Sequence, residues 1–129
     1  MKRTVLLLTF VVSVLSASAQ LTKQIEIGAD EIVTLWDNST AKYSNHMEKD
    51  EVVVSKRKFY NTSSADLYIF HPDKQNDTGV SIVIYPGGSY RYVGFSTHFI
   101  SWCKANGITA AMLKYRVPNG GHNQATLED

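Results

Sequence analysis

Cysteine is nearly absent from the chain. Cys103 stands alone among 129 residues, so no internal disulfide can hold the fold and an apolar core must do it. Its neighbours are apolar, which suits a buried thiol rather than a reactive one. An excess of charge is lacking too. Thirteen lysines and arginines face 12 acidic residues, a balance that excludes the broad basic face a nucleic-acid partner requires. No pair of His, Asp or Glu residues shows zinc spacing such as His-x-x-x-His, so no metal site is expected. Nor does any apolar run reach the ~20 residues that span a bilayer.

The apolar run that does occur lies at the start. Lys2 and Arg3 precede Val5 to Val14, and Ala17-Ser18-Ala19 forms an A-x-A cleavage site before Gln20. Residues 1–19 therefore read as a signal peptide, without a basic stop-transfer cluster, and the protein is expected to be secreted or periplasmic, with no membrane association after cleavage. The leader takes two of the 13 basic residues and none of the acidic ones, so the remainder stays close to neutral. Residues 20–50 are polar and irregular and read as an extended arm. Within it Ile32-Val33-Thr34-Leu35-Trp36 could dock on the domain, with Trp36 as anchor. Asn38-Ser39-Thr40, Asn61-Thr62-Ser63 and Asn76-Asp77-Thr78 are sequons, which matter only if a eukaryotic secretory pathway makes the protein.

Residues 51–129 carry the domain. Glu51 to Tyr60 alternates polar and apolar residues, and its basic run Lys56-Arg57-Lys58 would keep an edge strand soluble. After a turn at Asn61 to Ser64, Ala65 to Phe70 resumes strand character, and the two strands are expected to pair as an antiparallel hairpin. The third strand, Val80 to Tyr85, is continuously apolar, as a strand covered on both faces demands. Ser96 then caps a helix that Asn106-Gly107 closes. Phe95, Phe99, Ile100, Trp102 and Cys103 form a stripe on it, read as core. Ile108 to Tyr115 is a fourth strand, making a βαβ unit with strands three and four parallel. Residues 125–129 begin like a second helix with no strand after it. The chain is thus expected to be the front portion of a longer protein, with an exposed parallel edge on its sheet.

The candidate site lies where the third strand ends. Ser81-Ile82-Val83-Ile84-Tyr85 empties into Pro86-Gly87-Gly88-Ser89-Tyr90, a turn that can also present backbone amides to a bound anion. The anion such amides suit is the oxygen of a tetrahedral intermediate in acyl transfer, with each donor contributing roughly 3 to 4 kcal/mol to the transition state. A bulky residue at position 88 is expected to remove that function while leaving the fold largely intact. Of the histidines, His46, His71 and His98 read as solvated or capping, and His122 as the one on the side of the sheet where ligands bind.

Taken in order, Leu35-Trp36, Tyr85-Pro86-Gly87-Gly88-Ser89-Tyr90-Arg91-Tyr92, Trp102 to Gly107, Leu113-Lys114-Tyr115-Arg116-Val117-Pro118 and Leu127-Glu128-Asp129 resemble the N-terminal part of secreted bacterial α/β-hydrolase esterases, the acetyl-xylan-esterase-like and hormone-sensitive-lipase-like group. The resemblance implies an α/β fold: the N-terminal half of an α/β-hydrolase, a β-hairpin followed by a βαβ unit with parallel strands, truncated before the nucleophile elbow. It also implies a Ser-His-Asp hydrolase of carboxylic esters, often acetyl groups on plant polysaccharides, without a cofactor. Gly87 and Gly88 would supply oxyanion-hole N–H donors. Ser89 takes the place of a common third glycine, and Tyr90 and Tyr92 would wall the pocket. Arg116 and Asp129 would serve structure. No Gly-x-Ser-x-Gly pentad, the elbow that carries the nucleophile, occurs in the sequence. This portion alone is therefore expected to be inactive. The alternative is a small exported carbohydrate-binding domain using Tyr90, Tyr92 and Trp36, with no catalysis.

Overall fold

A computed structural model describes residues 27–118, and within them the chain forms one helix and seven strands in a mixed α/β arrangement. The strands are β1 (Glu31–Asp37), β2 (Val52–Val54), β3 (Lys58–Tyr60), β4 (Ser64–Phe70), β5 (Val80–Ile84), β6 (Val93–Gly94) and β7 (Ile108–Lys114). The helix is α1 (Thr97–Ala105), between β6 and β7. The signal-peptide residues 1–19, His122, Asp129 and the helix expected at 125–129 lie outside the described residues.

Four strands form one sheet in the order β1-β4-β7-β5, and three form a second in the order β2-β3-β6. Among the described strands only β5 and β7 run parallel, in register from Val80 opposite Ile108 to Ile84 opposite Met112. The intervening helix makes this the expected βαβ unit. Its ends follow local chemistry: the Ser96 hydroxyl accepts from the Phe99 amide at 3.3 Å, and Gly107 ends the last turn with φ +72°. A β-carbon on Gly107 would also strike the Asn76 carbonyl oxygen.

The hairpin is not the expected one. Glu51 to Tyr60 is itself a hairpin, β2 on β3, and β3 also pairs with β6. The reversal falls at Ser55-Lys56, both with positive φ, and the Arg57 amide donates across it to the Val54 carbonyl at 3.3 Å. β4 instead pairs antiparallel with β1 and β7. Residues 31–37, expected as a docked arm, are thus an edge strand, with an irregularity between Thr34 and Trp36.

The core joins the two sheets. Phe59 of β3, Tyr68 of β4 and Phe95 ahead of α1 stack on one another with centroids 4.8 to 5.3 Å apart. Fully burying such a ring contributes about 1.5 to 3 kcal/mol, with up to about 1 more from edge-to-face geometry. From α1 only Ile100 and Cys103 are buried. Phe99 and Trp102 stack at 5.8 Å on the exposed side, so the expected core stripe is narrower than the sequence suggests. β5 departs most from expectation. It is an edge strand with Val80 and Val83 each about half exposed, where cover on both faces was expected.

Candidate functional site

Because β5 and β7 are parallel, the segments leaving their C-terminal ends meet at one end of the sheet. Tyr85 to Tyr90 leave β5 there and Tyr115 leaves β7. Together with Leu113 they line a cavity of about 360 Å³. That volume is within the range of small-molecule sites.

The loop is built around two carbonyls. Gly87 accepts from the Gly94 amide at 3.0 Å, which ties the loop to β6. Gly88 accepts from Arg91 at 3.0 Å and from Tyr92 at 3.3 Å, closing a tight turn. The central residues of that turn, Ser89 and Tyr90, have φ +53° and +58°. Side chains resist this left-handed region by roughly 1 to 2 kcal/mol per residue, so the loop stores strain where it borders the cavity. The glycines themselves are not at positive φ. Gly88 is required for a different reason, because a β-carbon there would strike the Tyr92 carbonyl oxygen, whereas one on Gly87 would meet nothing within 4 Å. With both carbonyls engaged, the amides of Gly87 and Gly88 donate to no group among the described residues.

Gly87, Gly88, Ser89 and Tyr90 therefore come together on the cavity. Tyr92 does not line it. Its ring lies behind the loop, 5.3 Å from Tyr60, with the Lys58 ammonium 5.1 Å from its centroid. Four lining residues were not singled out as site residues: Tyr85, Pro86, Leu113 and Tyr115. The parallel pairing of β5 and β7 was the signal that could have found Tyr115. Its phenol is raised above the ordinary tyrosine value, first by burial and then by the nearby Tyr90. It stays a neutral hydrogen-bond donor through the physiological range.

Other polar groups hold the frame behind the cavity. Lys114, at the end of β7, is fully buried, with its ammonium 2.5 Å from Asp66, 2.7 Å from Glu51 and 3.0 Å from the Ser64 hydroxyl. Arg116 is buried as well and donates to the Tyr43 carbonyl. The Asn45 amide donates to the carbonyls of Thr62 and Val117 at 2.7 and 2.8 Å. The Thr62 hydroxyl donates to Tyr115 and accepts from the Val117 amide. Residues 38–47 and 62 thereby pin the segment after β7 that forms one wall.

The described histidines are elsewhere. His46 and His98 are exposed. His71 follows β4, which is antiparallel to β7, and its ring sits 3.2 Å from Thr109 at the opposite end of the sheet. Cys103 is buried, and burial raises its thiol above the ordinary value. Among the described residues no three His, Cys, Asp or Glu side chains are placed to hold a metal ion, and no helix is long and apolar enough to cross a membrane. No protein-family model, curated protein or solved structure matches the chain.

Proposed function

We propose that this chain is the N-terminal portion of an exported carboxylic-ester hydrolase and carries its oxyanion-binding loop. One observation carries the reading: the two glycines at the exit of β5 have both carbonyls engaged and both amides uncommitted, beside a cavity of about 360 Å³. Amides that converge on a bound anion stabilise the negative oxygen of a tetrahedral intermediate, at roughly 3 to 4 kcal/mol per donor. Tyr90 and Tyr115 give the cavity aromatic walls, and Leu113 gives it an apolar surface for an acyl group. The antiparallel strands leading into a βαβ unit support the α/β-hydrolase half that the ordered sequence motifs resemble.

The chain stabilises charge but does not attack. No described histidine lines the cavity beside Ser89 to take its proton, and no Gly-x-Ser-x-Gly pentad occurs. The nucleophile, acid and histidine would come from further polypeptide, and the favoured substrates are acetyl esters of polysaccharides. The competing reading, a non-catalytic carbohydrate binder using Tyr90, Tyr92 and Trp36, loses support from their placement. Trp36 is on β1, at the far edge of the sheet from β5, and Tyr92 is behind the loop.

Methylphosphonate, a small tetrahedral anion, tests the loop directly. In an NMR titration of the 15N-labelled chain, the Gly87 and Gly88 amide signals should shift together along one saturating curve. Unmoved glycine amides, with shifts elsewhere or none, would overturn the proposal.

A further inference from the structure

Three ion pairs join described residues: Lys104 with Asp30, and Lys114 with Glu51 and with Asp66. None involves Lys56, Arg57, Lys58 or Arg91, and no acidic side chain among the described residues pairs with these four cations. They are also neighbours of the candidate site. Lys58 pairs with Gly94 across β3 and β6, the Arg57 carbonyl accepts from the Phe95 amide at 2.7 Å, and Gly94 donates to Gly87. Arg91 belongs to the glycine loop and donates its amide to Gly88.

The sequence explains the basic run as protection for an edge strand. That explanation holds for part of the run only, because β2 is an edge strand and the strand that carries Lys58 is not. β3 is the middle strand of its sheet, paired on both sides, and Lys56 and Arg57 lie in the turn before it. The turn holds Ser55 and Lys56 at positive φ without a glycine, a strained presentation of charge that solubility alone does not require. Guanidinium and ammonium groups without an acidic partner among the described residues suit carboxylates.

We infer that Lys56, Arg57, Lys58 and Arg91 form a strip that binds a carboxylate-bearing polysaccharide, a uronate polymer, and leads its esterified residues toward the Gly87–Gly88 cavity. The inference rests on the ester-site reading of that cavity and narrows its substrate class. The near-neutral whole chain favours a sugar acid over a nucleic acid, which would engage a wider basic surface.

Binding of the full chain to polygalacturonate and to neutral xylan at low salt tests it, with no turnover needed. Polygalacturonate should bind at least about tenfold more tightly than xylan and weaken steeply with added salt. The combined variant Lys56→Gln, Arg57→Gln and Arg91→Gln alters only exposed side chains. It should keep the wild-type urea midpoint and lose about tenfold in affinity for polygalacturonate alone. Lys74→Gln, in the link before β5, should change nothing. Equal affinity for both polymers, no loss in the combined variant, or tighter binding to oligo-dT or to anionic phospholipid vesicles would each overturn the inference. The methylphosphonate titration reads the cavity separately. A saturating shift at Gly87 and Gly88 without polymer selectivity would remove the strip and leave the ester site standing. Polymer selectivity without that shift would remove the ester site instead.

Discussion

Gly88 and Tyr92 touch through their backbones: the Gly88 carbonyl accepts from the Tyr92 amide, and the Tyr92 carbonyl occupies the space a β-carbon on Gly88 would need. Position 88 is therefore a packing constraint as well as a candidate donor. This corrects the expectation that a bulky residue there would spare the fold.

Gly88→Ala should destabilise the protein by about 1 to 3 kcal/mol, the usual cost of forcing atoms into filled space. Gly87→Ala, with open space around the new methyl, should stay within about 0.5 kcal/mol of wild type. Urea unfolding of both variants checks the contrast. Equal losses would show that the loop relaxes freely around both positions. Because Gly87→Ala keeps the fold, it is also the cleaner variant for anion-binding measurements.

Two turns carry non-glycine residues at positive φ in both central positions, Ser55-Lys56 and Ser89-Tyr90. Asn-Gly is the pair that such turns favour. Replacing Ser89-Tyr90 by Asn-Gly should raise stability by about 1 kcal/mol while weakening methylphosphonate binding, since Tyr90 borders the cavity. Parallel unfolding and NMR titrations would check both halves. Unchanged stability would mean that the strain is absorbed elsewhere in the loop.

Much of this was legible in the sequence. The βαβ unit declared itself through the Ser96 cap, the Gly107 stop and the β-branched run at 80–84. The reversal at Ser55-Lys56 did not, because it lacks the Gly, Asn or Pro that ordinarily marks a turn, and so two strands read as one. β5 misled in another way. An apolar run reports that a strand can be covered, not that the described part of the chain covers it, and Val80 and Val83 stay half exposed. At the site, the glycine loop was visible as local sequence. Tyr115 enters only through the pairing of β5 with β7, and Asn45 and Thr62 only through contacts across tens of residues.

The Tyr115 phenol has a pH signature. Its folded pKa is raised above the unfolded value of about 10. Below that pH the group is neutral in both states and does not tilt the balance. As pH rises past it, the unfolded chain releases a proton that the folded chain keeps, so stability falls until the folded value is passed. The buried Cys103 thiol acts in the same direction from a lower pH. Tyr115→Phe should therefore flatten the loss of urea midpoint at the upper, tyrosine end of the range between pH 9 and 11, and the remaining slope should belong to Cys103. An unaltered slope would place the phenol in ordinary solvent.

Lys114 offers the sharpest test of the frame. One ammonium, excluded from water, faces the carboxylates of Asp66 and Glu51, so its removal leaves two acids close together and poorly solvated. Breaking such a buried pair by deleting one partner costs about 3 to 5 kcal/mol, far more than the pair contributes when it is compared with an apolar replacement. Lys114→Met should thus lose most of a small domain's stability, even though methionine fits a long unbranched space. Adding Asp66→Leu and Glu51→Gln should restore all but about 1 to 2 kcal/mol, because the stranded charges then disappear with their partner. If Lys114→Met alone unfolds no more readily than wild type, the cluster is reached by water. If the combined variant is as damaged as the single one, the cost lies in lost packing between β4 and β7 rather than in charge.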